Sequence, residues 1–266
     1  MALAIHLCIG TAYALSVFWL LRTPSPPLGW ATWLVLAALY FSCVMAAGYR
    51  LARSGGRPRH VRRPYATSQF WLIWVVLCLN VIAGIGIIGI APSMLQDIFG
   101  ASQADAAQFT VVMSLCSVGG ALFWASLSDW IGRKATYTTC FMLGVALYAL
   151  APVAARSGNQ LAFVTVICLI VSVHGGGFAT VPGYIGDSFG PRSGRAIYGR
   201  VLTAWPAAAI LAPILMKYIR DKQRLIGVPW PLAYDITMYI LAAILLLALI
   251  ANTFIRPVVA GSAEAP

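Results

Sequence analysis

A chain of 266 residues that is 61% hydrophobic and only 9% charged cannot dress a water-facing surface, because a soluble domain carries about 45–50% apolar and about 25% charged residues. Its formal charge of +11 would suit a polyanion, yet the Lys and Arg residues stand in short clusters between apolar runs. That arrangement argues against nucleic acid as a partner and follows membrane topology instead.

Eight apolar runs follow in chain order, at roughly 3–21, 29–49, 69–91, 108–128, 136–155, 160–181, 199–218 and 234–254. Each approaches the about 20 residues that a helix needs to cross a bilayer. They are continuously apolar and do not alternate, so helices fit better than barrel strands. The first run is read as a membrane helix and not as a cleaved leader, because no positive segment precedes it and it continues past the A-x-A-like site at Ala12 and Ala14. A Pro-rich turn over 22–29 leads into the second run, and the basic stretch 50–68 then reads as a linker. The expected organisation is an N-terminal hairpin over 1–49, that linker, a six-helix unit over 69–256 and a tail over 257–266.

The third run carries Asn80 and the spaced glycines Gly84, Gly86 and Gly89. A G-x-G-x-x-G spacing binds dinucleotides only after a strand in a βαβ unit, so inside an apolar span it signals close helix approach. The sixth run carries His174 beside Gly175, Gly176 and Gly177, and the seventh carries Trp205 with Pro206 and Pro213. Intramembrane polar groups are expensive unless paired. Asn80 is therefore a candidate either for a substrate contact or for a bond to a neighbouring helix. His174 is a candidate for a proton or anion contact or for a satisfied buried histidine. Trp205 could offer an indole N–H to a ligand or serve packing. The two prolines should bend the seventh run.

Lys and Arg also set orientation. Arg50, Arg53, Arg57, Arg59, Arg62, Arg63, Arg133, Lys134, Arg192, Arg195, Arg200 and Arg256 fall on one side, and the other six basic residues on the opposite side. The richer side is expected to be cytoplasmic, with both termini inside and the protein in the plasma (inner) membrane. The six cysteines show no C-x-x-C pair, so neither a disulfide framework nor a metal site is expected. No cofactor motif is present, and no enzyme chemistry is expected.

Between the fourth and fifth runs stands Ser128-Asp129-Trp130-Ile131-Gly132-Arg133-Lys134. Gly132 permits a sharp turn, and Asp129 sits where it can pair with Arg133, Lys134 or a neighbouring helix end. The plain alternative is a charged turn that obeys the positive-inside rule. The longer segment "ASLSDWIGRK" resembles the G-x-x-x-D-x-x-G-R-K signature of the major facilitator superfamily, with Ala125 in place of the first Gly. The segment "GDSFGPRSGR" is a weaker echo. The segments "GGGFATVPGYIGDSFG" and "GRAIYGRVLTAWPAAAILAPIL" are similar to the tenth and eleventh helices of that family's oxalate/formate antiporter branch. The likeness covers about residues 66–256.

The resemblance implies an all-α membrane protein with a six-helix half-bundle, and Asp129, Gly132, Arg133 and Lys134 in a gating turn. Members carry about twelve helices with the substrate between two halves. Here a first-helix-like run joins a sixth-helix-like one, so about four helices of that pattern are absent. Transport then calls for self-association or a partner half. Oxalate carriers of the branch are implied to use two cations, and the matching positions here are Ala121 and Trp205. The expectation is a proton-linked or exchange carrier of a small organic anion, a monocarboxylate before oxalate. The alternative is a truncated, non-transporting remnant or accessory subunit.

Overall fold

The computed structural model describes residues 67–228 and 230–256. The expected hairpin 1–49, nearly all of the basic linker and the tail 257–266 lie outside the described residues. Within them there are seven helices and no strand. These are α1 (Ser68–Phe99), α2 (Gln103–Ile131), α3 (Arg133–Arg156), α4 (Gln160–Phe189), α5 (Pro191–Val201), α6 (Ala204–Leu225) and α7 (Trp230–Thr253). Six spans among them are long and apolar enough to cross a membrane, with α5 and α6 together supplying the span Ile197–Gln223. The expected all-α membrane architecture holds, and the last six of the eight apolar runs are helices.

Several helices outrun the apolar stretch that announces them. The helix α1 continues through Pro92 to Phe99, and α4 through Pro182 to Phe189. Hydropathy marks only the length in hydrocarbon, whereas backbone hydrogen bonding continues until a cap or a glycine stops it. Gly100 stops α1 in the left-handed region, at φ 66°. Ser102 and Asp105 then start α2 with a reciprocal capping box. Asn159 caps α4 by accepting from the Ala162 N–H at 3.1 Å.

The bundle is built around α4, which packs against α1, α2, α3 and α5. The helix α7 lies on α1 and α3, and α6 lies on α1. Small residues set the closest approaches. A methyl group added at Gly120 would collide with the Ser172 backbone, and one at Gly175 with the Ser117 carbonyl, so α2 and α4 touch nearly backbone to backbone. The seventh run breaks at Leu202–Thr203, between α5 and α6. Pro206 lies four residues after Leu202, where its ring and missing N–H deny a helical bond to that carbonyl. Thr203 holds the break: its hydroxyl accepts from the Trp74 indole at 3.0 Å and donates to the Arg200 carbonyl at 2.6 Å.

Candidate functional site

Two polar centres stand out besides the Arg156–Asp235 pair at the far end of the bundle. The first is the turn between α2 and α3. Gly132 takes φ 88°, a conformation that side chains disfavour, and so reverses the chain between two helices without a loop. Four residues after Asp129, Arg133 begins α3 and turns its guanidinium back onto the end of α2. It donates to the Asp129 carboxylate and the Ser128 hydroxyl, and reaches the Ala125 carbonyl at 3.5 Å. Its Nε stands 4.0 Å from Asp187 near the end of α4. The guanidinium lies so close to α4 that a methyl group at Gly183 would come within 2.6 Å of Nε.

Lys134 turns the other way. Its ammonium donates to the Thr253 carbonyl at 2.9 Å and the Ile255 carbonyl at 2.7 Å, at the C-terminal end of α7. A helix C-terminus offers unsatisfied carbonyls and partial negative charge, so a cation is favoured there. Beneath it runs a buried chain: Tyr184 donates to the Asn252 side-chain oxygen at 2.8 Å, and the Asn252 amide donates to the Thr138 hydroxyl at 3.1 Å. One short turn thus ties α2, α3, α4 and α7 together. The pairings combine ions with hydrogen bonds and lie partly in water, so they can form and break at modest cost.

The second centre lies along His174–Gly177 of α4. Asn80 of α1 is buried and packs against Gly177, where an added methyl group would sit 2.8 Å from its amide nitrogen. His174 is partly buried and lies on Gly84, one turn along α1 from Asn80. Trp124 of α2 is buried and packs against Gly176. The Tyr137 hydroxyl of α3 donates to the Gly177 carbonyl. Four helices therefore meet at one glycine-rich turn. The Asn80 amide nitrogen, the Trp124 indole nitrogen and His174 Nδ1 are all sealed from solvent, and none bonds to a protein group. Native proteins rarely leave buried polar groups unpaired, since each costs about 1–3 kcal/mol. All three belong to side chains that lie on or pack against one turn of α4, His174–Gly177.

The residues singled out by sequence separate in space. Asn80 and His174 come together on the α1–α4 seam. Asp129, Gly132 and Arg133 form one cluster with Lys134 at its edge. Trp205 is half-exposed on α6, with its ring 5.8 Å from Phe178, the residue after Gly177. Trp124, not singled out from the sequence, packs on Gly176, between His174 and Gly177. Its signal was a large aromatic exactly one turn after Gly120, on the small-residue side of α2. Among the described residues no group of three or more His, Cys, Asp and Glu side chains could hold a metal.

A membrane-spanning helical half-bundle with a charged inter-helix turn and a glycine-lined polar seam defines a transporter scaffold. The Major Facilitator Superfamily model matches residues 73–266, and the chain belongs to that family. It is 30% identical over 148 residues to an oxalate:formate antiporter of Oxalobacter formigenes, a match that covers 54% of this chain and 34% of that protein. It is 25% identical over 170 residues to the uncharacterized MFS-type transporter YhjX of Escherichia coli (strain K12), covering 63% of this chain and 39% of the relative. The chain thus aligns with little more than a third of the length of these relatives. It is an integral membrane protein of a transporter family.

Proposed function

We propose that the chain serves secondary transport of a small carboxylate by alternating access, with a monocarboxylate preferred over oxalate. The observation that carries this reading is the seam of α1, α2 and α4, which holds two unpaired donors, on Asn80 and Trp124, and no Lys or Arg. A monoanion can be held by neutral N–H donors, such as those of Asn80 and Trp124, with His174 at the edge. A dianion such as oxalate calls for two countercharges, and a charge buried without partners is costly. Ala121 and Trp205 stand where the resemblance expects those cations. Similarity to an oxalate:formate antiporter supports carboxylate chemistry. In this reading Asp129, Arg133 and Lys134 form the gate, and a proton or a counter-anion balances the charge moved.

The six-helix unit works against a second bundle, from another copy or from a partner chain. The Lys/Arg-rich side faces the cytoplasm in the plasma (inner) membrane, with both termini inside. Uptake of labelled formate, lactate or pyruvate into proteoliposomes tests the reading. Saturable uptake that is lost in Asn80→Ala supports it. No saturable uptake of any of the three, by the chain alone or with its neighbours in the membrane, favours an accessory role without transport.

A further inference from the structure

The line along which α2 meets α4 advances in equal steps. Trp124 packs on Gly176, and Gly120 packs on Ser172, one turn earlier on each helix. One further turn back on both helices brings Cys116 opposite Cys168. The helices run in parallel here, so the register of 52 residues is kept at each step. Both cysteines are buried and unbridged, at 7% and 8% exposure, and their side chains are close enough to interact. Backbones that nearly touch at Gly120 and Ser172 hold the next turn close as well. A disulfide needs Cα atoms about 4.4–6.8 Å apart and Cβ atoms about 3.5–4.5 Å apart. Two neighbouring side chains on helices whose backbones nearly touch one turn away suit that requirement.

We propose that Cys116 and Cys168 form an intramembrane dithiol that oxidises reversibly to a disulfide and staples α2 to α4. The two S–H bonds break, one S–S bond forms, and two electrons with two protons leave. A lipid-soluble quinone accepts both and departs as the quinol. The oxidant must dissolve in the bilayer, because the pair lies within two apolar spans. The staple sits two turns from the Trp124–Gly176 contact, about 12 Å along the helix. It would fix the register of α2 on α4 beside the polar seam, and it does not depend on which substrate is carried.

The test uses the full chain in membrane vesicles treated with a short-chain quinone. Free thiols are then capped with N-ethylmaleimide under denaturing conditions, and peptides are mapped by mass spectrometry. The expected product joins Cys116 to Cys168 in most of the protein and reverts with dithiothreitol. It disappears in Cys116→Ser and in Cys168→Ala, and it persists in Cys78→Ser and Cys140→Ser. In detergent the oxidised wild type should unfold at a higher temperature than the reduced form, a difference absent from either variant at position 116 or 168. Recovery of Cys116 and Cys168 as separately capped thiols would overturn the proposal. So would linkage of either to another cysteine, or an unfolding temperature unmoved by oxidation.

Discussion

The two ends of the bundle secure the same helix, α7, in different ways. At the end holding the Asp129 turn, charge is shared. Arg133 has two acids within reach, and its own side chain is 22% exposed, against 54% for Asp129 and 68% for Asp187. Lys134 rests on backbone carbonyls. At the other end the arrangement is concentrated. Asp235 of α7 is buried to 6% side-chain exposure, and its carboxylate accepts from Arg156 of α3, with Nε at 3.1 Å. Beside it Tyr234 donates to Asp97 of α1, and the Gln223 amide donates to the Ala233 carbonyl at 3.0 Å. A shared, wet cluster loses little when one partner goes. A buried acid held by one cation loses its whole compensation at once. The first design suits a joint that opens and the second suits a fixed hinge.

The sharpest way to break this contrast is Arg156→Ala. It leaves the Asp235 carboxylate buried without its cation, so it should cause the largest loss of thermal stability in detergent of any single charge deletion among those compared. Adding Asp235→Ala should recover part of the loss, since the stranded charge goes too. If Arg156→Ala costs no more than Lys134→Ala, the two ends do not differ as argued.

Next in size comes Tyr184→Phe. It removes the donor to Asn252 within the buried chain below the turn and strands an amide oxygen, at a cost of about 1–3 kcal/mol. Lys134→Ala should cost less, about 0.5–1 kcal/mol, because Lys134 is exposed and pairs only with backbone carbonyls at a helix C-terminus. Chemical-denaturant or thermal unfolding of the purified variants gives the order. An inverted order would place the strength of that end in the surface charge rather than in the buried amide.

How much of this was legible in the sequence depended on the range of the interaction. The six spans of the described region follow from run length, because hydrocarbon thickness sets a simple threshold. The α5–α6 break follows from Pro206. The Asp129–Arg133 pair is local, four residues apart, and so is readable. Asn80 and His174 were visible because a polar residue in an apolar run must find a partner, in a neighbouring helix or in a ligand. Trp124 was not, because tryptophan in such a run reads as packing until Gly176 is found against it. Asp235 lies at the edge of a run and reads as interfacial; only the fold shows that it is buried. The contact of Cys116 with Cys168 joins helices separated by a third, and nothing local records it.

The smallest expected effect on stability is also the most telling for function. Asp129→Asn should shift the unfolding midpoint very little. Arg133 keeps the Ser128 hydroxyl and Asp187 as partners, and an exposed ion pair contributes only about 0–1 kcal/mol. Its effect should appear instead in the balance between open and closed forms of that end. A difference of even about 1 kcal/mol between two conformers changes their ratio about fivefold. Maleimide labelling of a single cysteine placed at Gly186, beside Asp187, should report it, with faster labelling in Asp129→Asn than in the same background with Asp129 intact. Equal labelling rates would mean that the Asp129–Arg133 pair is only a solvated charge at a turn. The joint would then have to be sought in the Lys134 contact with the Thr253 and Ile255 carbonyls, at the end of a helix that the opposite end already holds fast.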